Sequence, residues 1–261
     1  MRLFDTHAHL TDERFNGDRE ALIKSLPEQG VALVMDIACD VREAEKTMAL
    51  VDRYPHIYAA VGMHPHEAAE TELVHLDQIK AYAAHEKVMA IGEIGLDYHY
   101  DFAPREVQKK WFALQLELAQ QLKLPVSLHI REAFGDCMDI LRAHKNGLKG
   151  VMHCFSGSLE TAFECIDLGL SIAFGGAITF ENAKKLSAVA ARVPLESIVL
   201  ETDCPYMTPV PFRGKRNDPT LMLYTARKLA ELQEKPLEEI AEATFQNGLR
   251  LFEMEYIAED V

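Results

Sequence analysis

Short apolar runs and amphipathic stretches take turns along the whole chain. Eight mostly apolar runs, at residues 3–6, 32–37, 57–61, 88–92, 126–129, 150–154, 170–174 and 198–201, are continuous rather than alternating. That is the pattern of strands covered on both faces. Segments of helical period lie between and after them, at 20–29, 41–53, 72–85, 105–122, 132–144, 159–168, 181–193 and 219–231. The clearest is 105–122, where Val107, Trp111, Leu114, Leu118 and Leu122 form one apolar stripe. A last segment, 236–254, opens on Pro236, which suits a first helical turn. Eight strand–helix alternations predict an α/β chain: a (β/α)8 TIM barrel with an extra C-terminal helix across one end, one domain over 1–261. A doubly wound open sheet is the alternative.

Composition narrows the picture. The chain has 27 Lys plus Arg against 41 Asp plus Glu, a net charge of −14, so its overall field opposes a polyanion. A polyanionic substrate would need local cationic groups or bound cations. No stretch reaches the roughly 18 apolar residues of a membrane span, and residues 1–10 contain no apolar signal core. The five cysteines, Cys39, Cys137, Cys154, Cys165 and Cys204, are scattered with no Cys-x-x-Cys spacing. This predicts a reducing, cytoplasmic setting and no structural zinc knuckle.

The chemistry lies where polar residues interrupt the strands, because a barrel carries its functional groups at the C-terminal strand ends. The first run leads into Asp5, Thr6, His7, Ala8 and His9. Histidines two apart in an extended segment project to the same side and can reach one cation. The fourth run ends at Glu93, the fifth at His129, the sixth at His153, and Asp203 follows the eighth. Each alone reads equally well as a buried hydrogen-bonded group. Together they are four histidines and two carboxylates, a nitrogen and oxygen donor set suited to Zn2+, Mn2+ or, with water filling positions, Mg2+. Six donors exceed what one ion commonly needs, which favours two ions bridged by a carboxylate. His64, after the third run, is placed to touch a phosphate or a leaving group, and Arg131 shares the mouth with His129. Arg213, Lys215 and Arg216 form a cationic loop after the eighth run. Tyr98, Phe155, Phe180 and Tyr206 lie near the mouths, as base-stacking or packing residues. No P-loop, dinucleotide fingerprint or nucleophile elbow occurs.

These motifs resemble the TatD-like metal-dependent deoxyribonucleases of the amidohydrolase superfamily. The resemblance spans essentially the whole chain, in segments 5–9, 62–66, 92–97, 129–133, 153–158, 175–180, 201–206 and 213–219. It implies a barrel in which His7, His9, Glu93 and Asp203 hold one ion and Glu93, His129 and His153 a second. It further implies Asp203 as acceptor of a water proton, and Arg216 and Asn217 as substrate contacts. The expected activity is two-metal cleavage of DNA phosphodiesters, of 3'-5' exonuclease type, on single-stranded or frayed ends. No obligate protein partner is implied. An amidohydrolase or an esterase or lactonase acting on a small molecule is the alternative. Many related barrels bridge their metals with a carboxylated lysine after the fourth strand, whereas segment 92–97 carries Glu93 and no lysine. A non-catalytic metal- or nucleic-acid-binding protein is a third reading, which the intact donor set speaks against.

Overall fold

The expected alternation is realised strand by strand. The computed structural model describes residues 1–256; positions 257–261, the end of the predicted domain, lie outside the described residues. Its strands are β1 (Leu3–Ala8), β2 (Val31–Ala38), β3 (Ile57–Val61), β4 (Val88–Asp97), β5 (Val126–Arg131), β6 (Gly150–Met152), β7 (Leu170–Phe174) and β8 (Ile198–Leu200). Its helices are α1 (Arg19–Ser25), α2 (Val41–Arg53), α3 (Leu73–Tyr82), α4 (Arg105–Leu122), α5 (Phe134–Ala143), α6 (Leu159–Asp167), α7 (Lys184–Ala190), α8 (Met222–Gln233) and α9 (Leu237–Leu251). The strands are parallel and their order in the sheet is their order in the chain. The ring closes just past β8: Ala8 bridges Cys204, His9 N donates to Cys204 O at 2.8 Å, and Asp203 N donates to His7 O at 2.9 Å. This is a (β/α)8 TIM barrel, not an open sheet. Among the described residues no helix is long and apolar enough to cross a membrane.

Boundaries moved where local chemistry overrode the apolar pattern. The first helix stops at Ser25 because Pro27 starts a separate short turn, and Pro219 likewise delays α8 to Met222. β4 runs to Asp97 rather than Gly92, so Glu93 lies inside a strand and not beyond it. The stripe expected on α4 is also only partly the buried one. Gln108 and Gln115 are buried there, and Val107, Leu114 and Leu122 only partly so. Gln115 clasps the backbone of Met63, accepting from its N–H at 2.7 Å and donating to its carbonyl at 3.0 Å. Gln108 does the same for Asp97, at 2.9 and 3.1 Å. Helix α4 therefore fixes the ends of β3 and β4 with hydrogen bonds as well as packing.

The barrel interior is apolar at its N-terminal end. Phe4, Met35, Ala60, Ala90, Val151, Ala173 and Val199 from seven different strands form one cluster with Phe245, Leu249 and Phe252. The large Phe4 and Met35 on neighbouring strands face the smaller Ala60, Ala90, Val151, Ala173 and Val199 of the others, and together they fill the narrow barrel. The extra helix expected over 236–254 is α9, and it covers this end. Asn247 pins it by donating to the carbonyls of Leu195 and Ile198, both at 2.7 Å. Gly248 lets it approach: a Cβ there would sit 2.6 Å from the Phe4 ring.

Candidate metal centre

At the opposite end the same strands change character within two residues. Val126 and Leu128 are followed by His129, Val151 by His153, and Val199 by Glu201. Glu93 is brought inward by an irregularity of register between Ile91 and Ile94, where β4 pairs with β5. Gly92 permits the close packing, since a Cβ there would lie 2.6 Å from that of Ser127.

The six predicted donors meet around Glu93. One of its oxygens lies 3.4 Å from His7 Nε2 and 3.8 Å from His9 Nε2. The other lies 2.7 Å from His129 Nδ1 and 3.8 Å from His153 Nε2. Asp203 Oδ1 is 3.6 Å from His9 Nε2 and 3.8 Å from His153 Nε2. The Nε2 atoms of His7 and His9 are 3.2 Å apart, as two histidines on one side of an extended strand allow. Among the described residues four groups have donor atoms within 4.8 Å of one another: His7, His9 and Glu93; His7, His153 and Asp203; His64, Glu93 and His129; and His153, Cys154 and Glu201. The first lies within one of the two shells implied by resemblance and the third joins Glu93 and His129 of the other, while the second crosses between them by gathering His153 to His7 and Asp203.

Each of the four imidazoles is tied at one nitrogen by a group outside the cluster. His7 Nδ1 faces Ser127 Oγ at 3.3 Å, and His9 Nδ1 faces the Ile37 carbonyl at 3.1 Å. His153 Nδ1 meets Glu201 Oε2 at 2.8 Å, and His129 Nε2 meets Asp97 Oδ2 at 3.2 Å. The other nitrogen of each ring then points at Glu93 or Asp203. A carbonyl, hydroxyl or carboxylate behind an imidazole sets its tautomer and aims the free nitrogen, as outer partners of metal-binding histidines do. The donor set therefore fits divalent cations.

His64 differs. Its Nδ1 accepts the backbone N–H of His66 at 3.1 Å, so the neutral ring carries its proton on Nε2, 3.6 Å from Glu93. It offers the site a donor rather than a lone pair. Burial also holds His64 well below the usual histidine range.

The charges compensate one another. Burial alone would raise Glu93, but the imidazoles of His64 and His7 and the hydrogen bond to His129 hold it well below the usual carboxylate range. Asp203 is likewise lowered against burial, by His9 and His153. Burial lowers His129, yet its bonds to Asp97 and Glu93 prevail and push it up to about 9. His153 is raised in the same way by Glu201, while burial and the neighbouring His153 lower His7.

Ser127, Asp97, Glu201 and His66 were not singled out from sequence for a role. Asp97, Glu201 and His66 lie within the quoted motifs, and polar residues this close to apolar strands were the available signal. Ser127 carried none, because a small hydroxyl inside a strand is common. Asp97 does most: its Oδ1 accepts the N–H groups of His99 and Tyr100, both at 2.9 Å, and its Oδ2 faces His129 and, at 2.8 Å, His66.

The predicted substrate contacts are dispersed around the rim. The Arg131 guanidinium lies 4.8 Å over the Tyr100 ring. Arg216 makes two 2.7 Å bonds to Asp18 and a third to Arg14 O. Asn217 is buried, donating to Thr202 O and Tyr206 O at 2.9 and 2.7 Å, so it braces the loop that carries Asp203. Of the four aromatics noted from sequence, Phe155 is buried, Tyr98 bonds Asp136, and Phe180 lies 3.8 Å beneath Arg213. Only Tyr206 is well exposed, at 47%.

The model of the TatD related DNase family matches residues 4–253. The metal-dependent hydrolase YabD of Bacillus subtilis (strain 168) is 43% identical over 251 residues, 96% of this chain and 98% of its own. The 3'-5' ssDNA/RNA exonuclease TatD of Pectobacterium carotovorum (strain PC1) is 30% identical, covering 97% of this chain and 100% of its own. The crystal structure of YjjV, a TatD homologue from Escherichia coli K12, superposes with a TM-score of 0.92 at 36% identity, covering 97% and 99% of the two chains.

Proposed function

The chain belongs to the family of TatD-related DNases and is a metal-dependent hydrolase, and from that premise we propose that it removes nucleotides from the 3' ends of single-stranded or frayed DNA. The observation that carries the reading is the anchoring of four imidazoles from behind, so that their free nitrogens converge on Glu93 and Asp203. In this reading His7, His9, Glu93 and Asp203 would hold one ion, and Glu93, His129 and His153 a second, from Mg2+, Mn2+ or Zn2+. Two bound cations would neutralise a phosphodiester's non-bridging oxygens and lower the pKa of a water.

The chain's own residues complete the reaction. Asp203, held ionised by His9 and His153, accepts the proton of the attacking water. His64 presents Nε2–H to a phosphoryl oxygen or to the departing sugar oxygen. Arg131 supplies a rim cation for a phosphate, which matters in a chain of net charge −14. Arg216 and Asn217 act through the loop they fix, holding Asp203 in place. The similarity to an ssDNA/RNA exonuclease supports this substrate class. Incubating the protein with 5'-labelled single strands and Mg2+, Mn2+ or Zn2+ tests it. A ladder shortening from the 3' end and abolished by EDTA is expected. No chelator-sensitive shortening with any metal, alongside turnover of lactones or amides, would replace it with the small-molecule reading.

A further inference from the structure

Beside the metal centre the β4–α4 connection exposes two stacked aromatic rings. Tyr100 is 50% and Phe102 64% exposed, with ring centroids 5.3 Å apart and planes within 21°. Apolar rings left in water beside a polar cleft mark a binding surface. Both rings are tied to the centre through His66 and Asp97. His66 packs edge-on against both, at 5.3 and 4.8 Å, and bonds Asp97 through Nε2. Asp97 also accepts the Tyr100 backbone N–H and faces His129. One buried carboxylate thus sets the spacing between a candidate metal ligand and the ring pair. The His66 ring lies 6.1 Å from the His129 ring and 5.3 Å from Tyr100, so a single side chain separates the ring pair from the cluster. The Arg131 guanidinium, 4.8 Å over the Tyr100 ring, supplies a cation for a phosphate on the same path while the exposed Phe102 completes the pair.

We propose that Tyr100 and Phe102 form a stacking platform for the terminal base of a single-stranded nucleic acid, with Arg131 beside them on a phosphate. The proposal rests on the nuclease reading above. Stacking is sequence-tolerant, because every base presents a π face. The platform therefore selects an unpaired end rather than a particular base.

The test uses two 5'-fluorescein deoxyoligonucleotides with a cleavage-resistant phosphorothioate terminal linkage, with strand length checked after each titration. They differ only in carrying adenine or an abasic unit at the 3' end. Anisotropy titrations in Mn2+ should show the wild-type protein favouring the adenine end by roughly tenfold. The Tyr100→Ala/Phe102→Ala variant should bring that ratio to within about twofold, and Phe102→Trp should preserve or increase it. Phe102→Leu, which keeps apolar volume without a ring, should also lose the preference and serves if the double variant misfolds. A wild-type protein indifferent to the terminal base, or a preference that survives in folded ring-deleted variants, overturns the platform. If such a protein still shortens unmodified DNA, the nuclease reading stands; if it neither binds nor cleaves any strand, both fall. A ribo-oligonucleotide pair distinguishes RNA from DNA as the source of the base.

Discussion

The two ends of the barrel are built from the same eight strands and obey opposite rules. At one end Phe4, Met35 and Val199 lie in an apolar cluster, to which α9 adds Phe245 and Phe252. A few residues further along the same strands, His7, Glu93, His129, His153 and Asp203 crowd together. Burying apolar surface is favourable wherever shapes fit, so the first end stabilises the fold. Burying charge costs several kcal/mol per ion unless each charge is paired, so the second end holds together only as a network. The contrast teaches that this barrel separates stability from chemistry along the strand axis.

The largest test of that separation is Asp203→Asn. Turnover of a single-stranded oligonucleotide in saturating Mn2+ should fall by about 10³-fold or more, with a melting temperature close to wild type. Retained turnover would remove Asp203 from the reaction. The mirror experiment is Phe245→Ala at the other end. Urea unfolding should show a loss of about 3–5 kcal/mol, while kcat at low temperature stays within about twofold. A matching collapse of kcat would mean the ends are not independent.

A subtler change enters behind the donors. Asp97→Asn or Glu201→Gln leaves the six donors in place but alters what aims His129 or His153. Metal affinity by calorimetry should weaken about 10- to 100-fold, with unfolding in EDTA shifting far less than for Phe245→Ala. Unchanged affinity would show that the anchoring carboxylates do not tune the site.

The smallest effect is one of pH. His129 is raised from 6.5 to about 9 in the folded protein. Its contribution to stability is therefore complete below 6.5 and lost as pH rises through 9. Glu93 and Asp203 are lowered, so their contribution is present above their ordinary values of 4.5 and 3.8 and lost as pH falls further. In EDTA, the melting temperature should peak at mildly acidic pH and decline by a few degrees toward pH 9. With excess Mn2+ the alkaline decline should vanish, because neutral histidines bind the ion. Phe245→Ala should lower both curves without changing their shapes. Parallel curves with and without metal would contradict this assignment.

What was legible in the sequence follows from local physics. Continuous apolar runs separated by helical periods gave eight strands and a closing helix, since burial on both faces admits no alternation. His7, His9, Glu93, His129, His153 and Asp203 stood out because each interrupts or follows such a run. Their gathering at one barrel mouth followed from the strand ends, but which atoms meet was not legible, because that needs ring closure through Ala8 and Cys204 and the register irregularity beside Glu93. Nor were their outer partners: Ser127 lies 120 positions from His7, and Glu201 lies 48 from His153. The bonds of Arg216 to Asp18 and of Asn217 to Thr202 and Tyr206 were equally hidden, because a side chain's partners are chosen by neighbours in space. The sequence alone determined the strand count and the donor types, both set by each residue's own chemistry. Tertiary structure alone decided which nitrogen of each histidine faces the centre, because that choice belongs to the group packed behind the ring.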